Sequence, residues 1–406
     1  MKNLLLKLTT LSLIASSAIY ANGYKVPENS VSSVSLLAAN IAHSSGADTA
    51  YYNPANMAFM KDENNLELGL MLISVESSKF DGKGEVAKEW ITADHIESES
   101  ELPIIPSIHF VSSKYNNFTF GFSMVVPSGV TKEWEVRPAK DKAEQFTLEV
   151  IELNPTVAYK INDKMAIALG LRALKSSGIV KSTSSASRDM EGESFDFGYN
   201  LALAYKPTSA LEIGVTYRSK VNLEEEGNAK LYIGNAKVYD GGGSVEVPLP
   251  AQFNLAVAYT FDSQTTLEVV YEKSFWSAYK TLDFNYISNI PAILQPSMDN
   301  PISKDWEDTI TFRIGVTQEL NELTLMAGLT IDETPIPDKS LSFELPGTDS
   351  TAISFGAKYK VNENLTAGFG MLCSMKESRK VINEELQGEF ASGETYIFST
   401  GIGYKF

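Results

Sequence analysis

Residues 194–205 read SFDFGYNLALAY. Phe195, Phe197, Tyr199, Leu201, Leu203 and Tyr205 take every second position, with Asp196, Gly198, Asn200, Ala202 and Ala204 between them. Successive side chains of a strand point to opposite faces, so this stretch is a strand with one large apolar face and one small or polar face. The same period recurs where Phe118, Phe120, Phe122, Met124 and Val126 alternate with Thr119, Gly121, Ser123 and Val125. It recurs again where Phe253, Leu255, Val257, Tyr259 and Phe261 alternate with Asn254, Ala256, Ala258 and Thr260. A soluble sandwich alternates in the same way, so strand length and connections must decide.

Tight-turn signals stand at 115–117, 162–164, 207–209, 262–264, 321–322 and 362–364. Longer polar stretches lie near 79–103, 136–144, 183–191, 227–247, 285–305, 335–348 and 381–390. Counted from Asn64 to Phe406, the segments so delimited number about 14. Short and long connections alternate, the strand count is even, and both ends fall on the short-turn side, as in an outer-membrane barrel. Many segments are longer than the roughly 9–11 residues that cross a bilayer. They far exceed the roughly 5–6 residues of an ordinary globular strand. The last strand puts Tyr396, Phe398, Ile402, Tyr404 and Phe406 on one face and ends on the aromatic, which resembles the insertion signal of outer-membrane proteins. The expected fold is all-β: a 14-stranded antiparallel transmembrane β-barrel over 64–406, with a small N-terminal helical plug in its lumen.

The chain has 406 residues, of which 34 are basic and 51 acidic, for a formal charge of −17. That acid excess argues against nucleic acid, whose phosphates need clustered Lys and Arg. Cys373 is the only cysteine, so no disulfide framework, thiolate zinc site or iron–sulfur cluster can form within the chain. Lys2 and Lys7 precede an apolar stretch from Leu8 to Ile19, followed by Ala21, Asn22 and Gly23. This reads as a cleaved export signal over 1–21, too short in its apolar part to span a membrane. An exported chain with one cysteine suits a Gram-negative envelope.

Residues 22–63 do not alternate. Val31, Val34, Leu37, Ala38 and Ile41 have helix-like spacing, and Pro54 restrains Asn53 from the helical region. A segment of this size cannot hold a core by itself, and packing inside the barrel as a plug solves that problem. Asn22-Gly23-Tyr24 with Pro27-Glu28-Asn29-Ser30, and Gly46-Ala47-Asp48 with Tyr52-Asn53-Pro54-Ala55, resemble the mature start and plug signature of the FadL-type transporters of long-chain fatty acids and other hydrophobic molecules. Further matches are Tyr217-Arg218-Ser219-Lys220-Val221, Leu249-Pro250 leading to Phe253, Trp276, Asp305-Trp306-Glu307-Asp308-Thr309 and Asp332 to Asp338. The resemblance covers the whole mature chain. The sequence departs from it in having fewer glycines between Asn29 and Ser45.

The resemblance implies inward facilitated diffusion: a ligand binds at an outer groove, passes to an apolar lumenal pocket, and leaves sideways through a gap at a kinked third strand when the plug shifts. Pro127-Ser128-Gly129 supplies a matching interruption, since proline cannot donate to the ladder and glycine relaxes it. The cargo is then a fatty acid or, alternatively, an aromatic hydrocarbon of the toluene type; a general porin is a third reading. Outer-membrane lipid and lipopolysaccharide are the expected surroundings, and the resemblance favours a monomer.

Parity places Arg172, Arg218, Arg313 and Lys358 on inward faces, where a ligand carboxylate would need such a partner. Glu212, Glu268, Glu272 and Asp196 face inward as well and could neutralise those bases instead. In the plug, Tyr51, Tyr52, Met57 and Phe59 could line a pocket or pack against the wall. The acidic run Glu97, Glu99 and Glu101 reads as a solvated face, with cation holding beside lipopolysaccharide phosphates as the alternative. Of His43, His95 and His109 only His109 sits on a strand. Gly121-Phe122-Ser123-Met124-Val125 lacks the last glycine of a nucleophile elbow, and Gly241-Gly242-Gly243 reads as a loop tip rather than a phosphate loop. Neither an enzyme nor a cofactor or metal site is expected.

Overall fold

The computed structural model describes residues 23–406, so the export signal expected over 1–21 lies outside the described residues, as does Asn22. The fold is a closed 14-stranded antiparallel barrel. Its strands are β1 (Asn65–Val75), β2 (Ile104–Val111), β3 (Phe118–Glu133), β4 (Gln145–Asn162), β5 (Met165–Ser182) and β6 (Ala186–Tyr205). β7 comprises Leu211–Arg218 and Val221–Ile233, and β8 comprises Ala236–Leu249 and Gln252–Thr260. The circuit continues with β9 (Thr265–Ser274), β10 (Thr309–Leu320), β11 (Leu323–Asp332), β12 (Ser350–Lys360), β13 (Leu365–Lys376) and β14 (Thr395–Lys405). β1 pairs with β14 from Asn65↔Lys405 to Val75↔Thr395 and with β2 on its other side, which closes the ring.

Period two becomes an apolar exterior. Phe195 and Phe197 are each 60% exposed, and Leu169, Phe312, Ile331 and Phe355 are exposed on other strands. A continuous belt of this kind is stable only against hydrocarbon. Phe118, Tyr159, Tyr205, Tyr259, Tyr359 and Tyr404 are exposed beside the short turns, where an aromatic girdle meets the bilayer interface.

Two of the seven polar stretches are not loops. Residues 183–191 and 227–247 lie mostly in strand: β5 and β6 pair as far as Ser182↔Arg188, and β7 and β8 as far as Ile233↔Ala236. Gly241, Gly242 and Gly243 are therefore part of β8, not a loop tip. The physical reason is solvent on both faces: above the bilayer, a wall strand has no need of an apolar side. The stretches near 79–103 and 381–390 carry Ser78–Val86, Glu89–Glu97, Ser378–Ile382 and Leu386–Ser392, which make a separate four-stranded sheet over the barrel. Phe80, Phe343, Phe390 and Trp134 pack beneath it, with the Trp134 indole N–H donating to the Phe343 carbonyl at 2.9 Å.

The chain from Gly23 to Asn64 runs inside the ring. Helix α1 (Val31–Leu36) starts at Ser30, whose side chain accepts from Ser33 N while Ser33 returns the bond in a capping box. Leu37 and Ala38, at φ 51° and 59°, end it. The helix lies on a shelf of Gly315, Gly328, Gly356 and Gly370 from β10 to β13. A Cβ on Gly328 would stand 2.7 Å from the Leu36 backbone, and one on Gly356 would collide with Ser35 Oγ. Helix α2 (Thr49–Tyr52) leads to Asn53, extended at φ −147° and ψ 88° ahead of Pro54, and then to a 3-10 turn over Pro54–Phe59.

Substituting Gly356 by Val should unseat α1 without opening the barrel wall. The expected result is higher ion conductance in planar bilayers with unchanged heat-modifiable migration on gels. Conductance equal to the unsubstituted protein would show that the shelf does not hold the plug.

Candidate functional site

β3 loses its neighbour halfway up. β2 pairs with β1 along its whole length, but with β3 only from Ile108↔Met124 to Val111↔Gly121. Above Met124 the edge of β3 is free of β2, and its register to β4 shifts between Val125 and Ser128. Pro127-Ser128-Gly129 sits at this bulge. The freed edge is completed from inside: Val26 N donates to Pro127 O at 2.9 Å, Gly129 N to Tyr24 O at 2.9 Å, and Val126 N to Asn29 Oδ1 at 3.1 Å. Ser128 Oγ also donates to Tyr24 O at 2.5 Å. The N-terminal segment is thus a short internal strand that fills a hole in the ladder.

That segment is anchored at its start. Tyr24 lies edge-on to Trp276 with ring centres 4.8 Å apart, and Trp306 and Tyr279 complete an aromatic cage. Gly23 has φ +66°, and a Cβ there would stand 2.6 Å from the Trp276 ring, so glycine alone fits. Lys25 donates to Glu272 at 2.5 Å and to Ser274 at 2.6 Å. Glu28 is buried behind it, and desolvation pushes its carboxyl up to about 7, against the pull of Arg313 and with a further push from Asp332 and Glu272.

The plug is also gripped in its middle. Glu268 of β9 accepts the N–H groups of Ile41, Ala42 and His43 at 2.7, 2.7 and 3.0 Å. From the opposite side Asn53 Nδ2 donates to Ile41 O at 2.8 Å, and Asn56 Nδ2 to the carbonyls of Ile41 and Ala42 at 3.1 and 3.0 Å. Asn53 Oδ1 accepts from Ala55 N at 3.2 Å, and Pro54 begins the turn that aims Asn56. The Asn53-Pro54-Ala55 triplet is therefore a clamp on the 41–43 backbone.

Between the plug and the wall lies a cavity of about 60 Å³ lined by Val26, Tyr51, Tyr52, Pro127, Arg172 and Arg218, among others. It brings together four of the eight sequence-derived ligand candidates. Both bases are already neutralised: Arg172 Nε and Nη2 reach Glu152 Oε2 at 3.0 and 2.9 Å, and Arg218 pairs with its other oxygen. The Arg218 guanidinium lies 4.2 Å over the Tyr51 ring. Arg172 Nη1 also holds the Ser219 carbonyl at 2.7 Å, where β7 breaks level with the break of β8 at Pro250 and Ala251.

The other four candidates lie elsewhere. Arg313 is held by Glu272 at 3.1 Å. Lys358 faces Glu67 at 3.4 Å in a periplasmic cavity of about 250 Å³. Met57 packs in an alanine-rich cluster with Ala158 and Ala166, and Phe59 lies against that cluster beneath Lys206. Of the inward acids, Glu212 pairs with Lys206 and His43 rather than with an arginine, and Asp196 accepts from Ser194. His109 bonds Ser123 Oγ and Asn29 O at 3.0 Å each, fully buried, as a pin between wall and plug. Glu152, the partner of two candidates, was not singled out from sequence, and nothing in its local pattern marks it.

A closed barrel with an apolar belt and a clamped lumenal plug defines an outer-membrane transport protein. The chain belongs to the family described as outer membrane protein transport protein (OMPP1/FadL/TodX), whose profile matches residues 12–406. It is 21% identical over 353 residues to the long-chain fatty acid transport protein of Escherichia coli K12, covering 74% of this chain and 77% of that one. Its fold is similar to the crystal structure of a Pseudomonas aeruginosa FadL homologue, with a TM-score of 0.82 at 18% identity over 94% of this chain and 99% of that one. It is also similar to the Pseudomonas putida toluene transporter TodX, with a TM-score of 0.70 at 18% identity over 90% and 96% of the two chains.

Replacing Glu268 by Gln should free the 41–43 backbone. Hydrogen exchange there should accelerate on the order of a hundredfold, given the strength of bonds to a charged acceptor. Unchanged protection would place the grip elsewhere. For Glu28 the docked segment prefers the protonated acid, so docking is strongest below the free carboxyl value of 4.5 and weakens as pH rises through about 7. Proteolysis of the N-terminal segment should therefore increase from pH 5 to pH 8, and Glu28→Gln should flatten that dependence; a profile identical in both proteins would count against it.

Proposed function

We propose that the protein carries long-chain fatty acids inward across the outer membrane by facilitated diffusion, with no enzymatic step. Residues 22–63 act as a movable plug, and the ligand leaves sideways between β2 and β3 at Pro127-Ser128-Gly129. One observation carries the reading: the segment that completes the β3 edge, Tyr24 to Asn29, also walls the lumenal cavity through Val26 and Pro27. Withdrawing it would enlarge the cavity and open the wall in one movement. A cavity of about 60 Å³ has room for a few waters but not for an acyl chain, so the described state is closed. Each methylene that leaves water contributes roughly 0.8 kcal/mol, which favours entry of a long chain once space exists.

A second reading has its own support. Glu152 takes Arg172 and Arg218, and Glu272 takes Lys25, so the bases that line the lumenal cavity are already paired with carboxylates. That suits an uncharged cargo such as an aromatic hydrocarbon. Uptake of a fatty acid and of an alkylbenzene, measured side by side, separates the two.

Lys25 and Ser128 lie opposite each other in an antiparallel bridge, at a separation a disulfide can span. With Cys373 replaced by Ser, a Lys25→Cys/Ser128→Cys protein should lose fatty-acid uptake when oxidised and recover it on reduction. Equal uptake in both states would sink the moving-plug, lateral-exit reading.

A further inference from the structure

His43 joins the plug to the periplasmic end of the wall through a group that titrates near neutrality. Its backbone N–H is the third of those held by Glu268, at 3.0 Å, and its imidazole Nδ1 lies 3.4 Å from Glu212 Oε1 on β7. A glycine permits this approach. A Cβ on Gly214, two residues along the same face of β7, would stand 2.7 Å from Ile41 O and 3.0 Å from Ala42 Cα, so the plug backbone lies directly on the wall. Glu212 stands at the start of β7, beside the tight turn at 207–209, and the short turns of such a barrel face the periplasm. The His43 side chain is 28% exposed, which lets protons reach it from that side.

The charges around the imidazole suit its protonated form. Glu212 and Glu268 bring carboxylates from β7 and β9, and Lys206, just before β7, returns one positive charge 3.1 Å from Glu212 Oε2. β8, which pairs with both of those strands, presents buried Ala256 and Ala258, and the plug's own neighbours Ser44, Asn53 and Asn56 are uncharged. Desolvation disfavours the imidazolium, but the hydrogen bond and charge of Glu212 and the charge of Glu268 outweigh it, with Lys206 opposing, and the imidazole is held above its ordinary value of 6.5. A group whose docked pKa exceeds its free one strengthens docking fully below 6.5 and gives that strength up as pH rises through the docked value.

We propose that His43, Glu212 and Glu268 form a pH-sensitive latch, which fastens the middle of the plug to the wall in acid and loosens it as the periplasm turns alkaline. Its effect on uptake rests on the moving-plug reading above: the channel opens more readily at pH 8 than at pH 6. The latch acts on residues 41–43 and is separate from Glu28, which lies in the segment that completes the β3 edge.

The test is hydrogen exchange over residues 41–46 of the full-length protein in nanodiscs between pH 6 and pH 8. Each rate is divided by that of an unstructured peptide, which removes the chemical pH dependence. The unsubstituted protein is compared with His43→Gln, His43→Lys, Glu212→Gln and Glu28→Gln. Its protection should fall about threefold over this range, the scale of a partly exposed ion pair. His43→Gln should be weakly protected at both ends, and Glu212→Gln should flatten the profile as well. His43→Lys should stay protected throughout, because a lysine keeps its charge across this range. A flat profile in the unsubstituted protein would overturn the latch. So would a slope that persists in His43→Gln, or one that is lost in Glu28→Gln and kept in His43→Gln. Fatty-acid uptake by the same proteins separates the latch from the transport reading. Uptake that rises with pH in the unsubstituted protein but not in His43→Lys supports both. Uptake with the same pH profile in the two, while exchange responds through His43, leaves the latch standing and sinks the moving-plug reading.

Discussion

Hydrocarbon offers no hydrogen bonds, so every backbone N–H and C=O that faces it must find a partner within the protein. The barrel meets this demand by closing β1 onto β14, and the course of the N-terminal segment follows from the place between β2 and β3 where the ring is thinned. Above Met124 the edge of β3 has no partner in β2, and the protein supplies one from its own N-terminal segment. The plug is therefore not cargo inside a finished barrel. It is the piece of sheet that finishes the wall, which ties the integrity of the barrel to the position of residues 24–29.

That dependence gives the scattered sequence signals one destination. Tyr24 stands in the N-terminal segment, Trp276 and Tyr279 after β9, and Trp306 before β10, yet their rings meet in one cage. Tyr24 Oη donates to the carbonyl of Pro248, next to the Leu249-Pro250 pair, and Glu307 N donates to Pro335 O. Four further stretches that resemble the family in sequence thus form or brace one socket for the N-terminal segment. Each stretch alone has an ordinary structural explanation; the shared socket does not become visible until the chain is folded.

Much of the fold was legible because the constraint is periodic. Parity alone puts Arg172, Arg218, Arg313 and Lys358 in the lumen; the three arginines are buried there, and Lys358 faces Glu67 in a cavity. Their partners were not legible: Glu152 meets Arg172 across one ladder and Arg218 from two strands further on, and cross-barrel distance leaves no trace in local pattern. Residues 183–191 and 227–247 were misread for a different reason. Once a strand rises above the bilayer both faces are wet, period two fades, and polarity imitates a loop. Arg188 lies in one of those stretches, so its burial under the segment around Phe284 and Met298 could come only from the fold.

The energetics of the internal strand bear on what can open it. Four hydrogen bonds join residues 24–29 to the bulged edge of β3: Val26 to Pro127, Gly129 to Tyr24, Val126 to Asn29 and Ser128 to Tyr24. At about 1 kcal/mol net for each, releasing them costs about 4 kcal/mol. A ligand that buries methylenes at roughly 0.8 kcal/mol apiece offsets this with about five of them. A long acyl chain exceeds that threshold several times over, whereas a small ring has little to spare after its own ordering cost. On the proposed transport reading, hydrophobic burial set against these ladder bonds would favour long chains without recognition of the head group in the lumen, where Arg172 and Arg218 are committed to Glu152.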